Sequence, residues 1–247
     1  MRRRADGGVV RIAHRGATAS APENSREALV AALALDVDYV EIDVSDVLGR
    51  LVLAHSPDVA AADAPSLEEA LKLFVEHAPP EAGLHLDVKP RRGAEARVVD
   101  AVRRAGLVGR TFITSTFAPV LAELRRLEPA LDLGLGYPFD RGGIAEKGLL
   151  PNAVIRAALL SLRVALPYRV SGMLGRASAD AASLHHLVIT PAAVRRVHSG
   201  GAATIAWTVN DRADLERVVR AGVDGVVTDD PTVFDGPGTA VPHKARG

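Results

Sequence analysis

The sequence predicts an α/β protein folded as a single (β/α)8 TIM barrel. Strand-like and helix-like segments alternate from end to end, which implies a parallel sheet with helical crossovers. About eight such repeats share 247 residues, an ordinary length for one closed barrel. The runner-up, an open Rossmann-like sheet, lacks its G-x-G-x-x-G signature after the first strand.

The elements follow in order. "VVRIAH" (9–14) reads as a strand. "SREALVAALALD" (25–36) reads as a helix, with Asn24 as its cap and Glu27 in the reciprocal position of a capping box. "YVEIDV" (39–44) is a strand, and "RLVLAH" (50–55) extends its hairpin region. "SLEEALKLFVEHA" (66–78) is a helix capped by Ser66. "GLHLDVK" (83–89) and "TFITST" (111–116) are strands flanking the helix "AEARVVDAVRRAG" (94–106), which ends at a glycine. The helix "APVLAELRRL" (118–127) and the weaker strand "LDLGLGY" (131–137) lead into a long helical region. Beyond it, "HLVIT" (186–190), "ATIAWTV" (203–209) and "GVVTD" (225–229) read as strands, separated by helices at 191–199 and 212–222.

Lys+Arg and Asp+Glu both number 30, so the chain lacks the basic excess expected of a nucleic-acid binder, and no nucleic-acid partner is expected. With no cysteine there is no disulfide framework, thiolate metal site or cysteine nucleophile, and a cytoplasmic location is expected. Residues 1–8 read as a disordered leader, 9–235 as the barrel and 236–247 as a loose tail. No membrane span is expected. The nearest candidate, 153–174, contains three arginines and Pro167. Arg156 and Arg163 lie seven apart on one helix face, so this segment reads as an amphipathic barrel helix. The sharper alternative is a surface that touches a membrane or a partner subunit.

Reactive groups of such barrels gather at the strand C-termini. Glu41 and Asp43 are two apart, so one strand points both into the barrel while Val40, Ile42 and Val44 face the helices. His85, Asp87 and Lys89 repeat the pattern, with Leu84, Leu86 and Val88 outward. Inward carboxylates repel one another, and a hard divalent cation is the simplest remedy; an ion-pair network around Lys89 is the alternative. His14 and His55 end their strands beside these acids. Each alone could be a core histidine or a metal ligand, and together they suggest a general acid and a general base. Arg15 suits an anionic substrate, since its guanidinium forks onto phosphate oxygens.

These residues resemble the glycerophosphodiester phosphodiesterases, from about His14 to Pro231. The resemblance rests on "HRG" with "PEN" (22–24), "DYVEIDV", "LVLAH", "PSLEEAL" (65–71), "LHLDVK", "WTVND" (207–211) and "GVDGVVTDDP" (222–231). It implies a (β/α)8 barrel that cleaves a small-molecule phosphodiester to glycerol 3-phosphate and an alcohol, with one divalent metal ion, Mg2+ or Ca2+. It further implies His14 and His55 as the acid/base pair, Glu41, Asp43 and Asp87 as metal ligands, Arg15 and Lys89 on the phosphate, and Trp207 lining the substrate pocket. The sequence departs from the family pattern in four places, the first being the loop from Asp43 to His55, which is one residue short and lacks the usual threonine. Ser56 follows His55 where the family has aspartate, and Asp87 stands where it has glutamate. Only "SPDVAAADA" separates His55 from "PSLEEAL", a shortened cap insertion that leaves the site more open. Two further readings follow from these departures: a lysophospholipase D-like activity on lysophospholipids, and a weakened barrel that binds phosphorylated ligands without turnover.

Overall fold

The computed structural model describes residues 8–60, 63–90, 92–139 and 151–235. The expected leader, apart from Gly8, and the expected tail lie outside the described residues.

The chain runs β1 (Val10–Ala13), α1 (Arg26–Ala32), β2 (Tyr39–Val47), β3 (Arg50–Leu53), α2 (Leu67–His77), β4 (Gly83–Val88), α3 (Glu95–Arg104), β5 (Thr111–Ser115), α4 (Ala118–Leu127) and β6 (Asp132–Tyr137). It continues through α5 (Asn152–Ala177), β7 (Ala181–His185), α6 (Pro191–Ser199), β8 (Ala203–Trp207), α7 (Arg212–Ala221) and β9 (Gly225–Thr228). A 3-10 turn, Pro231–Phe234, takes the place of an eighth helix. All strands but β3 are parallel, and β1 pairs with both β2 and β9, which closes the barrel. β3 folds back antiparallel on the end of β2 as a hairpin. Between β3 and α2 the described residues carry only a 3-10 turn, Pro57–Val59.

Period-two alternation sorts the strand side chains into two cores. Val40, Ile42, Val44, Leu84, Leu86 and Val88 join the large layer between strands and helices. Val10, Ile12, Tyr39, Phe112, Ile205 and Val227 fill the barrel interior as an apolar floor. Two glycines make room for its rings: a Cβ on Gly83 would fall 2.2 Å from Tyr39, and one on Gly134 2.6 Å from Phe112. Along β2, Tyr39, Glu41 and Asp43 share this inner face, so both carboxylates stand above the floor, toward the strand C-termini.

Two expectations are corrected. The seventh strand is Ala181–His185, and "HLVIT" instead forms a 3-10 turn at His186–Val188 followed by the cap of α6. The apolar signal sits in Val188 and Ile189, which pack outside, whereas the true strand turns the small Ala181 and Ser183 inward and only Ala182 and Leu184 to the outer layer. The cap of α1 is Ser25, which accepts from the Ala28 N–H, and not Asn24, whose side chain is engaged elsewhere. Ser66 does cap α2, in a complete capping box with Glu69. No helix among the described residues is long and apolar enough to cross a membrane.

Candidate active site

The site begins at the turn that ends β1. Arg15 and Gly16 have φ of +53° and +87°, and a Cβ on Gly16 would lie 2.6 Å from the Ala28 backbone. Glycine is therefore required there for space as well as conformation. The turn aims the Arg15 backbone N–H at Glu41 Oε2, 2.8 Å away. The Arg15 guanidinium lies with Nε 3.0 Å from Asp43 Oδ2 and Nη1 2.7 Å from Glu23 Oε2. The Nε contact is an ion-pair approach without hydrogen-bond alignment. Asn24, also at positive φ, clamps Asp43: its Nδ2 donates to Asp43 Oδ2 and its Oδ1 accepts from the Asp43 N–H, both at 2.9 Å.

On β4, Lys89 donates to Asp87 Oδ2 at 2.5 Å and lies 2.8 Å from Asp43 Oδ1. The ion-pair network weighed from the sequence is thus present. Asp87 Oδ1 also accepts from the Thr114 hydroxyl at 2.8 Å. That hydroxyl lies 2.8 Å from His85 Nε2, and since its proton goes to Asp87, His85 Nε2 is the donor. The His85 Nδ1 is then a bare acceptor, buried without a protein partner. Burial pushes the His85 imidazole down to about 4, so the ring is neutral.

Glu41, Asp43 and Asp87 each offer a ligand oxygen, all within 4.8 Å of one another, and could hold a metal ion. Their chemistry fits one: three carboxylates are hard oxygen donors, and two of them are buried at 3% and 1% exposure. Burial, and then the Asp43 charge, push the Glu41 carboxyl up to about 8. Burial would raise Asp43 too, but Lys89, Arg15 and His55 hold it well below the usual carboxylate range. The cluster is therefore short of positive charge, which a cation held by the three carboxylates would supply.

His14 faces this cluster with Nε2 3.8 Å from Glu41 Oε2. Its Nδ1 lies 2.6 Å from Asp229 Oδ1. Burial opposes the charged imidazolium, yet the Asp229 hydrogen bond and the Glu41 charge outweigh it and raise the His14 pKa. The same bond lowers Asp229, which as a carboxylate only accepts; the proton on His14 Nδ1 is thereby fixed, and Nε2 is turned to the site. Asn210 holds Asp229 in place, donating from Nδ2 to Oδ2 and accepting from the Asp229 N–H at 2.9 Å.

A cavity of about 600 Å³ opens at the strand C-termini. His14, Arg15, Glu41, His55, Asp87 and Lys89 line one side. Trp207, Pro138, Phe117 and Phe139 also line it, the last two as an edge-to-face ring pair with centroids 4.9 Å apart. Trp207 stands edge-on to His185 at 5.2 Å. Of the eight residues expected at the site, seven line this cavity, and Asp43 lies against it behind Lys89 and Arg15. The sequence offers Asn24 only a capping role and gives His85, Thr114, Asn210 and Asp229 no part in the site. Asn24, Asn210 and Asp229 sit inside the quoted "PEN", "WTVND" and "TDDP" motifs, so a search there for partners of His14 and Asp43 would have found them.

Comparison with known proteins agrees with this geometry. A model of the glycerophosphoryl diester phosphodiesterase family matches residues 14–62 and 151–233. The chain is 26% identical over 258 residues to a glycerophosphodiester phosphodiesterase of Caldanaerobacter subterraneus subsp. tengcongensis, covering 89% of this chain and 93% of that protein. Among solved structures, a glycerophosphodiester phosphodiesterase from Parabacteroides distasonis superposes with a TM-score of 0.71 at 22% identity, covering 91% of this chain and 94% of that one. A phosphodiesterase from Oleispira antarctica, solved in complex with the product sn-glycerol-3-phosphate, gives 0.69 at 20% identity and covers 93% and 98% of the two chains. With a closed parallel barrel, a cluster of carboxylates at its mouth and a family match over more than half its length, the chain belongs to the glycerophosphoryl diester phosphodiesterase family.

Proposed function

We propose that the protein hydrolyses glycerophosphodiesters to glycerol 3-phosphate and an alcohol, using one divalent metal ion, Mg2+ or Ca2+, held by Glu41, Asp43 and Asp87. One observation carries this reading: His14, its tautomer set by Asp229, meets the carboxylate cluster at the mouth of one cavity. A phosphodiester resists attack because its negative charge repels nucleophiles, and a bound divalent ion supplies the Lewis acidity that relieves this. Arg15 and Lys89, already drawn together by Asp43, add fixed positive charge where the phosphate settles. His14 exchanges a proton at Nε2 with a substrate oxygen, while Asp229 steadies the ring through Nδ1. His55, from the end of β3, makes the complementary transfer, so that one histidine activates the attacking oxygen and the other protonates the leaving alkoxide. The nucleophile is water or the glycerol hydroxyl of the substrate. Trp207 packs against the organic part of the substrate.

The test is release of glycerol 3-phosphate and choline from glycerophosphocholine with Mg2+, with Ca2+ and with chelator. Turnover that needs metal, and falls at least about a hundredfold in His14→Ala with an unchanged circular dichroism spectrum, is expected. Equal rates in chelator would sink the metal assignment, and binding without turnover under every condition would leave only a ligand-binding barrel. The Phe117–Phe139 wall favours a second reading, activity on lysophospholipids, because those rings offer apolar surface that glycerophosphocholine does not use. A higher kcat/KM for lysophosphatidylcholine, with lysophosphatidic acid as product, would establish it.

A further inference from the structure

α5 is longer than any barrel helix needs to be. The other helices among the described residues run 7–11 residues, whereas α5 has 26, or about 39 Å at 1.5 Å per residue. Pro167 divides it. The ten residues after the proline match an ordinary barrel helix and reach β7 through only three linking residues. The surplus therefore lies at the N-terminal end, on the side of the strand C-termini and the cavity mouth.

α5 is apolar on two faces. Leu159, Leu166 and Val170 pack inward on the core. On the opposite face, Val154, Ala157, Leu160, Val164 and Tyr168 recur at helical spacing and point outward. Val164 is 73% and Tyr168 89% exposed, and α5 supplies four of the seven large exposed hydrophobics of the described residues. This stripe is flanked by arginines, Arg156 and Arg163 on one side and Arg169 and Arg176 on the other. α5 contains no acidic residue at all. Among the described residues none of the four arginines forms an ion pair. The neighbouring helices do not neutralise them. α6 adds Arg195 and Arg196 with no acid, and on α4 Glu123 is taken by Arg126. An ordinary solvent-facing barrel helix would carry mixed charges here.

We propose that this outer face of α5 docks on an anionic lipid bilayer. An outward apolar stripe ending in a tyrosine, between rows of arginines, matches the chemistry of an interfacial helix: the apolar side chains enter the acyl boundary and the guanidinium groups meet lipid phosphates. A second copy of this chain is the poorer occupant, because pairing two such faces sets arginines against arginines with no acid on either helix. Docking would bring the cavity mouth close to the lipid headgroups, and it stands whether or not the cavity cleaves a diester.

The test is co-sedimentation of the full chain with vesicles of phosphatidylcholine alone and of phosphatidylcholine containing about a third phosphatidylglycerol. At least about tenfold tighter binding to the anionic vesicles, weakened by added salt, is expected. Val164→Glu with Tyr168→Glu should abolish binding by removing apolar contact, and Arg156→Glu with Arg163→Glu by reversing charge. Both variants should cleave glycerophosphocholine at the unaltered rate. Absence of binding, or equal binding to both vesicle types, overturns the proposal. So does sedimentation of the free protein as a dimer that Val164→Glu dissociates, since a second copy would then cover the face.

Discussion

The two nitrogens of His14 do different work, and a carboxylate 215 positions away decides which does what. Asp229→Asn keeps the size of that partner but offers an amide that can donate, so the ring loses its enforced tautomer. We expect kcat to fall about a hundredfold or more with little change in KM or melting temperature. A kcat within a few-fold of the parent would show that Asp229 does not orient the ring. Thr114 holds Asp87 from the other side. Thr114→Val strands Asp87 Oδ1 and the His85 Nε2 proton, and Mg2+ affinity measured by calorimetry should weaken about tenfold or more. Unaltered affinity would show that the Thr114 hydroxyl does not position Asp87 for the metal. At this scale the sequence was readable wherever strand periodicity applies: Glu41 and Asp43, then His85, Asp87 and Lys89, had to share the inner face. Asn24, Asn210 and Asp229 escaped because they stand on turns and strand ends, where direction follows from closure of the barrel and not from spacing.

Elements were readable in proportion to their apolar signal. β2 and β4 announce themselves by alternating bulky and polar residues, whereas β7, "AASLH", has little bulk beyond Leu184, so the apolar signal points to its louder neighbour at 186–190. The α1 cap slipped by one residue because Asn and Ser both suit the position, and the choice is made by Asp43, which takes Asn24 for itself. The β2–β3 hairpin shows an element whose sequence opposes its own geometry. Val47 pairs with Arg50, so Leu48 and Gly49 form a two-residue loop with φ of +51° and +83°. A turn of this sign pattern favours Asn-Gly, and the Leu48 side chain is strained there and fully exposed, at 103% of its reference area. Leu48→Asn should stabilise the protein by about 1 kcal/mol in urea unfolding, because asparagine tolerates the left-handed conformation and no buried contact is lost. No gain would mean that the loop relaxes freely in solution.

For the whole molecule, the alternating pattern implied a closed barrel, and closure in turn concentrates polar groups in a space with little water. Such a core is stable only in certain charge states, and its histidines make that visible. His185, at the end of β7 against Trp207, is pushed down to about 4 from 6.5 by burial and then by the neighbouring His186 charge. Its Nδ1 accepts from the Leu187 N–H, a role open only to the neutral ring. Because the folded pKa lies below the unfolded one, the unfolded chain takes up the proton first as pH falls. The stabilisation is therefore complete above about 6.5 and is lost progressively toward about 4, with a total on the order of 2–3 kcal/mol. Urea unfolding of the parent and of His185→Gln, measured at intervals from pH 7.5 to 4.5, isolates this contribution, because Glu41, which gains stability as pH falls, and His85, which loses it, act alike in both proteins. His185→Gln preserves an acceptor near the Leu187 N–H without a titrating ring, so the parent should lose stability relative to the variant by about one proton's worth of slope as pH falls. Parallel curves for the two proteins would show that His185 takes up its proton in the folded state as readily as in the unfolded one.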